Sequence, residues 1–199
     1  MIKFAQAASL ALTLAIASPA LAEVFGVQMG ATPQSLGAKL ADKDPGPVKM
    51  YDLPTVPKPH REFESYAALS SAKTGICKIV GYGRSYQGDI DGEHVREALD
   101  TLSATLEAKY GKPLRFDDLK EGSIWDKSED YAMSLKQEER TLVAFWVPKH
   151  GATLPPDLRA IKLEGAAVSS SETYLTISYE FANFETCLAL MEAADGAAL

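Results

Sequence analysis

Two pairs of strand-like runs in this chain are joined by only a few residues each, and this constrains the fold more than any other feature. Phe63, Ser65, Ala67 and Leu69 alternate with Glu62, Glu64, Tyr66 and Ala68, the period of a half-buried strand. A turn at Thr74-Gly75 leads straight into a second apolar run at 76–82. Further on, 159–168 and 173–181 flank Ser169-Ser170-Ser171, and Leu175, Ile177, Tyr179 and Phe181 share one face. A parallel crossover needs about a dozen residues or more, so each pair must close as an antiparallel hairpin. Additional strands are expected at 23–29, 48–53 and 141–147.

Helices are expected between these runs. The clearest covers 92–110, where Val95, Ala98, Leu99, Leu102, Leu106 and Tyr110 recur at helical spacing, Asp91 can cap the start and Gly111 the end. Thr32-Pro33 opens a helix with Leu36 and Leu40 on one face, Ser128 opens a short one to about Lys136, and Asn183 caps a last one carrying Cys187, Leu188 and Met191. Residues 42–47 form a turn and 54–60, with three prolines, an extended loop. The expected fold is therefore α+β: a mainly antiparallel sheet from two or more hairpins, with the long amphipathic helix and the C-terminal helix packed on one face. Strands followed by a helix occur twice, which suggests a weak internal duplication with halves meeting near 111–128.

Residues 1–22 read as a secretory signal peptide. Lys3 supplies the positive start, 4–17 is apolar apart from Gln6, Ser9 and Thr13, and Ser18-Pro19 breaks the helix before the small-x-small site Ala20-Leu21-Ala22. Cleavage is expected between Ala22 and Glu23, leaving a single domain over 23–199. Glu23 is not a cysteine, so no lipid anchor is available there, and no later stretch has the roughly 18 apolar residues of a membrane span. A periplasmic or secreted location makes a disulfide the simplest use of the two cysteines, Cys77 and Cys187.

Composition narrows the partners. The chain has 199 residues, 46% of them hydrophobic, and a formal net charge of −7. That is too apolar for a disordered chain and too acidic for a nucleic-acid or polybasic membrane-surface role.

No motif assigns chemistry. Gln87-Gly88-Asp89-Ile90-Asp91-Gly92 resembles part of a calcium loop, but in register Gln87 and Ala98 fall where carboxylates are required, so it reads as a turn. Gly81-Tyr82-Gly83 lacks the third glycine of a dinucleotide loop, since position 86 is Tyr. His60, His94 and His150 share no metal spacing, and Ser85 lies in no nucleophile elbow. The pairs Asp117-Asp118, Glu129-Asp130 and Glu138-Glu139 read as solvated charges. Trp125, Trp146, Tyr131 and Phe145 read as core rather than as a pocket lining. No catalytic residue, metal or cofactor is assigned.

The mature chain resembles a family of secreted proteobacterial proteins of no assigned activity. The resemblance rests on Val24-Phe25-Gly26-Val27-Gln28-Met29-Gly30, Tyr110-Gly111-Lys112-Pro113, Gly122-Ser123-Ile124-Trp125, the run from Glu139 and Arg140 to Phe145 and Trp146, and Tyr179-Glu180-Phe181-Ala182-Asn183. It implies export and the disulfide, and carries no catalytic residue. The opening, with Gly30-Ala31-Thr32-Pro33, is also similar to the start of small envelope-assembly modules of the outer-membrane lipoprotein kind. The expected function is a non-enzymatic module that binds an envelope protein or a small ligand. The alternative is a periplasmic hydrolase acting on an envelope component, with Ser, His and acidic residues converging in a cleft.

Overall fold

One antiparallel sheet organises the whole molecule. The structure, a computed structural model, describes residues 21–41 and 46–197. The signal segment through Ala20, and 42–45 of the expected turn, lie outside the described residues. In chain order the elements are β1 (Lys39–Leu40), β2 (Val48–Leu53), β3 (Phe63–Ser71), β4 (Gly75–Gln87), α1 (Glu93–Tyr110), β5 (Leu114–Leu119), α2 (Tyr131–Lys136), β6 (Arg140–Trp146), β7 (Leu158–Ser169), β8 (Glu172–Phe181) and α3 (Phe184–Ala197). The sheet order is β1-β2-β3-β4-β8-β7-β6-β5. Both expected hairpins form, and the meanders β2-β3-β4 and β6-β7-β8 meet where β4 pairs with β8.

The main core lies on one face of this sheet. Helix α1 presents Val95, Leu99, Leu102, Leu106 and Tyr110, all buried, to β6, β7 and β8, where Leu142, Trp146, Ile161, Leu163, Leu175 and Ile177 meet it. The helix approaches closely because Gly165 has no side chain: a Cβ there would lie 2.5 Å from Leu142 Cδ2 and 3.2 Å from Val95 Cγ2. Gly111 stops the helix, and its carbonyl accepts the Trp146 indole N–H at 2.8 Å. Trp146 and Tyr131 are core, as expected, while Trp125 and Phe145 are half-buried.

Helix α3 lies on the opposite face, contrary to the expectation that both helices share one. Leu69 pairs with Lys78 and Met50, on the side away from Ile79 and Tyr179, and this is the side on which Phe184 and Cys187 pack with Val48 and Leu69. A bulge between Leu69 and Ser70 leaves Cys77 without a strand partner and turns it into that cluster. The rest of this face is open and carries the ion pairs Lys78–Glu180 (3.3 Å), Arg159–Glu180 (2.6 Å) and Lys162–Glu164 (2.6 Å).

Several local expectations are corrected. Residues 23–29 form no strand; Val24 and Val27 make one bridge around a tight turn in which Phe25 (φ 53°) and Gly26 (φ 78°) are both left-handed. Phe25 tolerates this because its ring is held edge-on by Phe63, Tyr66 and Tyr179. The helix after Thr32 is one 3₁₀ turn, Pro33–Leu36, ended by Gly37, and Leu40 belongs to β1. In β3 a bulge between Phe63 and Ser65 puts Tyr66 and Ala68 on the core face with Phe63. The Asn183 side chain does not cap α3; its amide donates to the Thr74 and Ile76 carbonyls.

Candidate functional site

A cleft of about 290 Å³ opens between the loop before β3, the end of β4 and the outer flank of α1. Its polar wall is built from segments far apart in sequence. Three prolines hold 54–60 extended and bring His60 to the mouth. The His60 backbone N–H donates to the Tyr66 hydroxyl at 2.9 Å, and His60 Nδ1 accepts the Glu62 N–H at 3.3 Å, which leaves the neutral ring's proton on Nε2. The Glu62 carboxylate lies 3.4 Å from Arg84 and 3.7 Å from Arg61. At the end of β4, Arg84 sits over the Tyr86 ring at 5.7 Å, and Tyr86 stacks on His94 at 6.2 Å and 15°. The opposite wall is α1, whose Ala98 and Leu102 give apolar surface and whose Thr101 and Thr105 give hydroxyls.

Asp89 is the buried end of this ladder. Its Oδ1 accepts the His94 N–H at 2.8 Å and lies 3.3 Å from His94 Nδ1; its Oδ2 accepts the Val95 N–H at 3.1 Å and the Thr173 hydroxyl at 2.5 Å. Burial pushes the Asp89 carboxyl up. The Thr173 hydroxyl, the two amides and the His94 charge outweigh that and hold it below the usual carboxylate range. Asp89 thus satisfies the start of α1, where Asp91, the expected cap, makes only a 3.3 Å bond to the Glu93 N–H. Both Asp89 oxygens therefore accept from the first turn of α1, and Thr173 ties the same carboxylate to β8. Gly92, just before α1, is fixed by space: it sits at φ 69° with Tyr131 Cδ1 2.0 Å from where a Cβ would be.

The cleft also shifts its own titratable groups. Burial pushes the Tyr86 phenol up, with the Glu62 and Asp89 charges acting the same way and Arg84 opposing. Tyr86, then Glu62, hold Arg84 more firmly protonated. The arrangement can grip an anionic group between Arg61, Arg84 and the imidazoles while the α1 flank meets an apolar portion.

The residues expected to matter are distributed as follows. His60 and His94 converge on this cleft with Glu62 and Glu97, but His150 lies elsewhere, beside Lys149 and Arg159. Ser85 is exposed and does not line it. Among the described residues no serine, threonine or cysteine side chain hydrogen-bonds to either imidazole of the cleft. Asp117 bonds the Tyr131 hydroxyl and Arg140, and Glu139 bonds Ser123, so these carboxylates hold loops in place. Cys77 and Cys187 are joined, with sulfurs 2.06 Å apart. Ala22 and Glu23 do not line the cleft; they lie against Asp157 and Lys58. Arg61, Arg84 and Tyr86 carried no sequence signal beyond their residue types.

Among the described residues no helix is long and apolar enough to cross a membrane, and no group of three or more His, Cys, Asp or Glu side chains is placed to hold a metal ion. Comparison with protein-family models, with curated proteins and with solved structures finds no match to this chain.

Proposed function

We propose that this is an exported, non-enzymatic binding protein that takes a small ligand bearing a carboxylate or phosphate group in the cleft beside α1. The observation that carries the reading is the convergence of Arg61, Arg84, His60 and His94 on one concave site of a chain with net charge −7. Random scatter of the minority charge would leave these side chains solvated singly. Glu62 instead braces both guanidiniums from one side. Its volume of about 290 Å³ suits a small molecule.

The test is a titration of the full chain with small carboxylates, phosphates and their neutral isosteres, followed by thermal shift and by backbone amide NMR. The expected result is stabilisation by anions only, with shifts at residues 60–62, 84–86 and 94–105. Arg84→Gln should weaken binding about tenfold or more, the worth of a hydrogen bond to a charged group. Equal response to neutral isosteres, or no loss in Arg84→Gln, rejects the reading.

The Asp89–His94 pair supports a second reading, hydrolysis of an envelope component. A carboxylate oxygen 3.3 Å from Nδ1 can hold the imidazole in one orientation and tautomer, as a general base activating water requires. An ester and amide panel tests it: turnover abolished by His94→Gln supports hydrolysis, and no turnover of any substrate removes it.

A further inference from the structure

Asp157, just before β7, is a buried carboxylate, only 3% exposed. Both of its oxygens accept one and the same donor, the Ala22 backbone N–H, at 2.9 and 2.8 Å. Among the described residues no lysine, arginine or histidine nitrogen lies within 4 Å of it. This is a poor solution for a buried charge. A buried carboxylate ordinarily has a cation or several donors, and Asp89 in the same molecule has three donors with the His94 ring nitrogen 3.3 Å away. The weakly partnered charge sits where the Ala20-Leu21-Ala22 site would be cut. Leu21 is exposed, Ala22 is half-buried against the core, and Val24 is buried and fixed by its bridge to Val27.

Hydrolysis of the Ala22–Glu23 amide changes this balance. Water adds across the bond, Ala22 leaves with the new carboxylate, and Glu23 keeps the nitrogen as a free amine that is protonated at neutral pH. The amide donor to Asp157 is lost. The new ammonium lies one residue along the chain, within about 3.6 Å of the lost nitrogen, and carries three donors and a full charge. We infer that in the processed protein the Glu23 α-ammonium turns into the Asp157 site and forms a buried ion pair with it, so that removal of the leader completes the fold at this end of the core. The inference rests on the exported reading of residues 1–22. Held by Val24 on one side and Asp157 on the other, the N-terminus would fasten the Val24–Val27 turn, whose Phe25 ring packs on Phe63, Tyr66 and Tyr179.

The full chain, leader included, is produced in an export-competent bacterial host and recovered from the periplasm. Intact mass and N-terminal sequencing come first. A chain that keeps its leader overturns both the exported reading and the pairing. A processed chain that still carries Ala22 overturns the pairing and leaves export standing. For a chain starting at Glu23, a brief pulse of an amine-reactive ester at neutral pH is read at the N-terminal peptide by mass spectrometry. The expected labelling is about tenfold or more slower than in the same chain unfolded, because a paired, buried ammonium holds its proton. Asp157→Asn should restore fast labelling and lower Tm by about 10 °C. Native wild-type protein labelled at the unfolded rate overturns the pairing, and this measurement stands even if the Asn variant fails to fold.

Discussion

Helices α1 and α3 each follow a three-stranded meander, yet different physics holds them. Helix α1 buries Val95, Leu99, Leu102, Ser103, Leu106 and Tyr110, begins on the Asp89 carboxylate and ends at Gly111. Of the described α3 side chains only Phe184 and Cys187 are buried, and the helix has no basic residue in its last turn to complement its dipole. Lys78 lies over the Phe184 ring at 5.2 Å, and the disulfide to Cys77 does the rest. A helix with a full apolar face needs no covalent tether. One with only two buried side chains and a half-buried Leu188, on the open face of the sheet, does, because burial of that size does not offset the entropy of ordering it.

Removing the tether should therefore have the largest effect. The disulfide spans 110 residues, and a loop of that length is worth roughly 4–5 kcal/mol in the chain-entropy model. The double variant Cys77→Ser with Cys187→Ser is expected to lose about 10 °C or more in Tm. Hydrogen exchange should show α3 amides losing protection well before those of α1. Equal protection of the two helices would break the contrast. Leu99→Ala comes next. Leu99 is fully buried, so the cavity costs about 3 kcal/mol, read by denaturant unfolding. Here the loss is global: α1, β7 and β8 should weaken together, whereas the cysteine variant weakens α3 first.

The same contrast marks what the residue order could and could not disclose. Helix α1 and both hairpins were legible because their periodicity and turns are local. The cysteine pair was legible because only two cysteines exist and the expected leader implied an oxidising compartment. Strand β5 was missed: Leu114–Leu119 reads Leu-Arg-Phe-Asp-Asp-Leu, an edge strand with no buried residue, so no apolar alternation marks it. The placement of α3 on the far face was not legible, because it depends on the bulge that turns Cys77 around. The turn at Val24–Val27 was read as a strand because its β-branched residues mimic one, while the left-handed Phe25 leaves no trace in composition. The cleft was the least legible feature. Its parts come from 60–62, 84–86 and 94–105, and each of its histidines looked solvated when taken alone. Asp89 was noticed for the wrong reason, as a metal-loop aspartate, when its donors are the helix start and Thr173.

That aspartate gives the smallest and sharpest test of how α1 is held. Asp89→Asn keeps the shape but removes the charge from a site where two backbone N–H groups and the Thr173 hydroxyl point at it. The expected cost at neutral pH is about 1–3 kcal/mol. Its pH dependence has a definite sign. The carboxyl is held below its usual value in the folded protein, so its contribution is fully present above about pH 4, the ordinary aspartate range, and is lost as pH falls through the lower folded value. Wild type and Asp89→Asn should therefore converge in stability on acidification and diverge again on return to neutral pH. Asp91→Asn, whose only bond is the 3.3 Å contact to the exposed Glu93 amide, should stay within about 0.5 kcal/mol of wild type throughout. If the two variants behaved alike, the start of α1 would be held by its packing alone, and the distinction from α3 would rest on apolar area rather than on the cap.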